Sequence, residues 1–80
     1  MNRHELIRIL EMEGFSKDTY DLSGNMNPDE KYCLNQEGQS WVVYYSERGK
    51  QRNKKSFNSE GLACEYFLSL MRHDPTTKNT

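Results

Sequence analysis

Between Ser40 and Met71 the apolar residues change their spacing from every second position to every third or fourth, and that change constrains the fold more than any other feature. Alternate residues share one side of a strand, whereas residues three and four apart share one side of a helix. Ser40-Trp41-Val42-Val43-Tyr44-Tyr45-Ser46 therefore reads as a strand, Glu47-Arg48-Gly49-Lys50 as a turn, and Gln51 to Phe57 as a second strand. Asn58 or Ser59 caps a following helix, with Glu60 in its first turn where the dipole favours an acid. Phe57 is placed to staple onto Leu62. Leu62, Ala63, Tyr66, Phe67 and Leu70 fall on one arc of this helix, which ends near Arg72 or His73 because Pro75 cannot continue it.

Upstream, Leu6, Ile7, Ile9 and Leu10 give residues 2–13 one apolar helical face, and Gly14 suits the left-handed position that closes a helix. Asp18-Thr19-Tyr20-Asp21-Leu22 alternates as a short edge strand does, and Ser23-Gly24-Asn25-Met26-Asn27-Pro28 is turn chemistry. Lys31-Tyr32-Cys33-Leu34-Asn35 is a strand closed by a turn at Glu37-Gly38. The expected fold is α+β in the order α-β-β-β-α. It comprises a three-stranded antiparallel meander, four-stranded if Tyr20 opens an edge strand, with both helices packed on one face. Residues 1–73 form a single domain and residues 74–80, polar and unpatterned, a disordered tail.

An 80-residue chain that is 34% hydrophobic and 29% charged has a small core, which nine aromatic rings help to fill. No run approaches the roughly 20 apolar residues of a membrane span. Asn2-Arg3-His4-Glu5 leads into a charged helix rather than the apolar segment of an export signal, so the chain is expected in the cytoplasm. Cys33 and Cys64 lack CxxC spacing and read as reduced, partly buried thiols.

Catalytic chemistry has little to build on. His4 and His73 lie near opposite ends of the chain, and no nucleophile or acid–base motif surrounds either. Neither a GxGxxG nor a GxxxxGK[ST] phosphate loop is present. Asp18, Asp21, Asp29 and Glu30 lack the order of a calcium loop. The expectation is a protein that is no enzyme and takes no metal or cofactor.

Charge is unevenly spread. Residues 1–47 hold nine acids and four bases, whereas residues 48–80 hold seven bases and three acids, so −5 faces +4 in a chain of net charge −1. Three surfaces follow. Asp18, Asp21, Asp29, Glu30 and Glu37, interleaved with Tyr20 and Tyr32, suit docking against a basic partner. Arg48, Lys50, Arg52, Lys54 and Lys55 put five cations into eight residues beside Tyr44, with Lys50, Arg52 and Lys54 sharing one side of their strand. Such a ribbon suits a nucleic-acid groove, or simply guards an exposed strand against edge pairing. Cys64 and Leu68 fall off the buried arc of the last helix and mark a weak homodimer contact, the alternative being a monomer.

Trp41 to Leu70, with its basic hairpin and the helix entry Phe57-Asn58-Ser59-Glu60-Gly61-Leu62-Ala63, resembles the β-β-β-α modules of ethylene-response-factor and recombinase arm-binding domains. That resemblance implies nucleic-acid binding through Tyr44, Arg48, Lys50, Arg52 and Lys54. It departs from those families in lacking several Arg or Trp residues on the outward sheet face and in carrying an extra N-terminal helix. The order α-β-β-β-α is also that of the double-stranded RNA-binding domain, but here the second helix opens on the acidic Ser59-Glu60-Gly61-Leu62-Ala63-Cys64-Glu65 rather than a lysine cluster.

Across nearly its whole length the chain resembles the small immunity proteins of bacterial polymorphic toxin systems. The likeness is carried by the N-terminal helix, the Trp41-to-Gly49 hairpin and the Phe57-to-Leu68 helix. It implies a cytoplasmic, non-enzymatic protein that binds a cognate toxin domain and blocks its active site or its access to a target. Because many such toxins are nucleases with basic clefts, Asp18, Tyr20, Asp21, Asp29, Glu30, Tyr32 and Glu37 are the expected contact residues.

Overall fold

A computed structural model describes residues 1–23 and 30–74. Helix α1 spans Arg3–Met12, strands β1 Tyr20–Asp21, β2 Lys31–Glu37, β3 Ser40–Glu47 and β4 Lys50–Phe57 follow, and helix α2 spans Glu60–His73. A short 3-10 turn at Lys17–Thr19 leads into β1. The strands form one sheet in the order β1-β2-β3-β4, so the fold is α+β with four strands. β2, β3 and β4 are the expected antiparallel meander. β1 is the edge strand left open by the sequence, and it runs parallel to β2 with Tyr20 opposite Tyr32 and Asp21 opposite Cys33.

Both helices are capped by local chemistry. Asn2 Oδ1 accepts the Glu5 backbone N–H at 2.9 Å, and Ser59 Oγ accepts that of Leu62 at 3.2 Å. Each such cap satisfies one otherwise unpaired donor and contributes about 1 kcal/mol. Gly14, with φ of 80°, closes α1 in the left-handed conformation expected of it. The β3–β4 turn is a two-residue one in which Arg48 and Gly49 both have positive φ (52° and 79°), the geometry that matches the right-handed twist of its strands.

Leu34 and Val43 are cross-strand partners at the middle of the sheet, both fully buried beneath the helices. Around them lie Leu6, Leu10, Phe15, Leu22, Ala63, Cys64, Phe67, Leu68 and Met71. Phe67, with no exposed surface, is the largest side chain sealed in this core. β3 is buried on both sides, which is why it carries an unbroken apolar run rather than strict alternation.

Two expectations for α2 are corrected. Its buried stripe is Ala63, Cys64, Phe67, Leu68 and Met71, turned by about one residue, roughly 100° of helix, from the expected arc of Leu62, Ala63, Tyr66, Phe67 and Leu70. The cause is α1, which adds a second apolar wall. The Cys64 thiol lies in the field of Glu60, the chain N-terminus, Arg3 and Glu5, so this side of α2 looks toward the start of α1. Cys64 and Leu68, expected as a dimer contact, are buried at 0% and 5% exposure and offer no surface to a second copy. Leu62 is instead 55% exposed, and the ring that meets Phe57 is Tyr66, at 5.2 Å between centroids.

Residues 75–80 of the expected tail lie outside the described residues, as does the turn chemistry at residues 24–28.

Candidate functional site

The acidic set does not assemble into one surface. Asp18 and Glu30 are exposed near the β1 end of the sheet, and Asp21 is half-buried there, its Oδ1 accepting the backbone N–H and hydroxyl of Ser23 at 2.8 and 2.6 Å. Asp29 lies outside the described residues. Glu37 closes the other end of β2, seven residues of strand away from Glu30, and is bonded by Lys54. The two tyrosines meant as aromatic anchors serve the fold. Tyr20 and Tyr32 pack against the main core, and Tyr32 meets Tyr45 edge-on at 4.9 Å. The Tyr32 hydroxyl donates to Asp74 Oδ2 at 2.9 Å, tying the end of α2 to the start of β2. Burial, reinforced by that bond to Asp74, pushes the Tyr32 phenol up to about 12.

The cations do gather, but a bulge divides them. Lys55 opposes Val43 and Arg52 opposes Tyr45, so two residues, Asn53 and Lys54, stand opposite Tyr44 alone. Asn53 takes the left-handed conformation, with φ of 54°. Asparagine is among the few residues that tolerate it. Directly opposed residues share a side of the sheet. Lys50, Arg52 and Lys55 therefore project to the side that bears the helices, while Lys54 is flipped to the other. The single stripe of Lys50, Arg52 and Lys54 expected from unbroken alternation does not exist. Every residue from Arg48 to Ser56 is nevertheless exposed, and β4 is the outermost strand.

The side of the sheet away from the helices holds a second, smaller cluster of Cys33, Val42 and Tyr44. Lys54 of β4 and Glu37 of β2 bond to each other across β3 on this side, with the Lys54 Nζ 3.0 Å from both carboxylate oxygens. The Tyr44 hydroxyl accepts from Asn35 Nδ2 at 2.7 Å, whereas Asn35 Oδ1 is buried with no partner among the described residues. Tyr44 is only 4% exposed, so its ring is not available to stack on a base, contrary to its place in the nucleic-acid reading. Burial, and then the nearby Cys33, raise the Tyr44 phenol above its ordinary value.

Reactive groups are muted in the same way. Burial pushes the Cys33 thiol up to about 11, with Asp21 adding to the effect. Burial also raises Cys64 to about 11, with Glu60 adding. Thiols buried in the neutral form are poor nucleophiles at neutral pH. Among the described residues no group of three or more His, Cys, Asp or Glu side chains could hold a metal ion, and no helix is long and apolar enough to cross a membrane. A groove of about 480 Å³ runs between α1 and β1, bordered by Ile7, Glu11, Lys17, Tyr20 and Leu22. His4, Asp21, Ser23 and the ion-paired Arg3 and Glu60 border it as well.

One arrangement had no signal in the sequence. Arg3 donates its backbone N–H and its Nε to Glu60 Oε2 at 3.1 and 3.2 Å, and its guanidinium lies 5.0 Å from the centre of the Trp41 ring. It joins the first turns of both helices to β3 and is structural.

No protein-family model, curated protein or solved structure matches the chain.

Proposed function

We propose that this chain is a non-enzymatic capture protein of the immunity type, which binds one cognate bacterial toxin domain and blocks its active site or its access to a target. The observation that carries the reading is the separation of charge across one sheet. β4 presents Lys50, Lys55, and Arg52 and Lys54 paired to Glu47 and Glu37 of the neighbouring strands, whereas Asp18, Asp21 and Glu30 gather at the β1 end. Three strand spacings, about 14 Å, separate the two ends. That exceeds the Debye length of about 8 Å at physiological salt, so each end acts on a partner without being cancelled by the other. The Cys33 and Cys64 thiols are meanwhile buried, and the Tyr32 and Tyr44 hydroxyls are bonded to neighbours. The reading places the chain in the cytoplasm and makes its function stoichiometric.

Titrating the purified chain into the toxin domain that it captures from its source cell tests this. The expected result is a 1:1 complex and loss of toxin activity at equivalence. A complex that leaves toxin activity intact, or no complex, refutes the reading.

A second reading has one observation in its favour, the exposure of Arg48, Lys50, Arg52 and Lys55 along the β3–β4 hairpin. A duplex lying on that ribbon engages cations of one side only. Because Arg52 and Lys54 project to opposite sides, replacing both by alanine flattens the salt dependence of DNA binding by about one counterion rather than two.

A further inference from the structure

We infer that the outer edge of β4 is the contact surface, and that it accepts an acidic extended segment of the partner protein as an added strand. The inference rests on the capture reading for the partner being a protein. Among the described residues β4 is last in the sheet order and is paired only to β3. In a two-residue hairpin the residues flanking the turn exchange both main-chain bonds, and the pattern then alternates. Lys50 and Arg52 thus bond to β3, as do Lys55 and Phe57 beyond the bulge, while the main-chain groups of Gln51 and Ser56 face away from the sheet. An extended peptide satisfies such groups, whereas a nucleic-acid backbone does not need them.

Charge selects among the strands that could pair there. Lys50 and Lys55 make no ion pair among the described residues, whereas Arg52 is 3.5 Å from Glu47 and Lys54 is held by Glu37. A second copy of this chain would set Lys50, Arg52 and Lys55 against their own kind, which is destabilising for directly opposed residues. Lysines and the Asn53 bulge guard the edge against indiscriminate pairing, and the same lysines favour a strand of opposite sign. Since Lys50, Arg52 and Lys55 all project to the helix-bearing side, the incoming strand carries its acids at alternate positions.

The test uses a fluorescein-labelled peptide of about eight residues alternating Glu with Thr, about the length of an ordinary strand. Its controls are a Gln/Thr counterpart, a copy N-methylated at alternate residues, and a short DNA duplex. The Glu/Thr peptide is expected to bind, and N-methylation to weaken it about tenfold, the worth of one or two main-chain hydrogen bonds. Ser56→Pro is expected to do the same, because the lost N–H lies on the outer edge and not in the β3 ladder. Lys55→Glu, at an exposed position, decides the matter should Ser56→Pro not fold, and it too is expected to weaken peptide binding about tenfold or more. Equal binding of the N-methylated peptide, indifference to Lys55→Glu, or tighter binding of the duplex overturns the inference. Capture of the toxin domain untouched by Ser56→Pro and by Lys55→Glu also overturns it, while leaving the capture reading in place.

Discussion

Lys54 on β4 reaches over β3 to Glu37 on β2, its Nζ 3.0 Å from both carboxylate oxygens. The bridge belongs to the side of the sheet that neither α1 nor α2 covers, and beneath it Val42 and Tyr44 are 1% and 4% exposed. A long aliphatic stem lying over apolar surface explains that burial better than the charge pair at its tip, since both partners are more than a third exposed and solvent screens them.

Lys54→Met therefore keeps most of the stability that Lys54→Ala loses. Removing the charge alone costs less than about 1 kcal/mol, and removing the stem costs more. Urea denaturation of the two variants compares them directly. Equal losses in both would assign the effect to the ion pair and refute the role of the stem.

Arg3→Ala breaks a joint between both helices and β3. It removes the Nε bond to Glu60 and the cation over Trp41, and is expected to cost about 1–2 kcal/mol. The backbone bond from residue 3 survives. Trp41 is the single tryptophan, so its emission should change in the folded state of the variant. An unchanged spectrum would place the guanidinium away from the ring.

Alkali should destabilise the fold in two stages. A thiol buried in its neutral form has a folded pKa above its unfolded one, so its contribution is complete below the unfolded value and is lost as pH rises through the folded one. Cys33 and Cys64 rise from 9.0 to about 11, which sets a first loss between pH 9 and 11. Tyr32 rises from 10.0 to about 12 and extends the loss to that pH. Urea midpoints measured across this range should fall, and Cys33→Val should reduce the first stage. Rapid labelling of both thiols in the native protein near neutral pH would contradict the burial that drives these shifts.

How much of this was legible in the sequence depends on range. The cap at Ser59, the Gly14 stop and the Arg48-Gly49 hairpin are settled within a few residues, and the chain announces each of them. The orientation of α2 is not local. Periodicity finds an apolar side, but only the position of α1 decides that Cys64 and Leu68 turn inward and Leu62 outward. The parallel pairing of β1 and the contact between Arg3 and Glu60, 57 residues apart, are likewise set by the assembled fold. At the candidate surface, a single asparagine inside a cationic strand was the whole signal for the bulge. Its effect, sending Lys54 to the far side, reorganised the site more than any charge count foretold.

Leu68→Ala separates the two roles once open to that residue. A side chain 5% exposed in the main core leaves a cavity when truncated, and such truncations cost about 2–5 kcal/mol. An 80-residue domain has only about 5–10 kcal/mol to lose, so the variant should melt well below the wild type. Its sedimentation at low temperature should match that of the wild type, because no interface has been removed. A dimer contact predicts the reverse, with an altered sedimentation coefficient and an almost unchanged melting temperature. Burial in the main core leaves only the first outcome consistent with the structure, and Leu62→Ala, at a position 55% exposed, provides the control in which neither quantity moves.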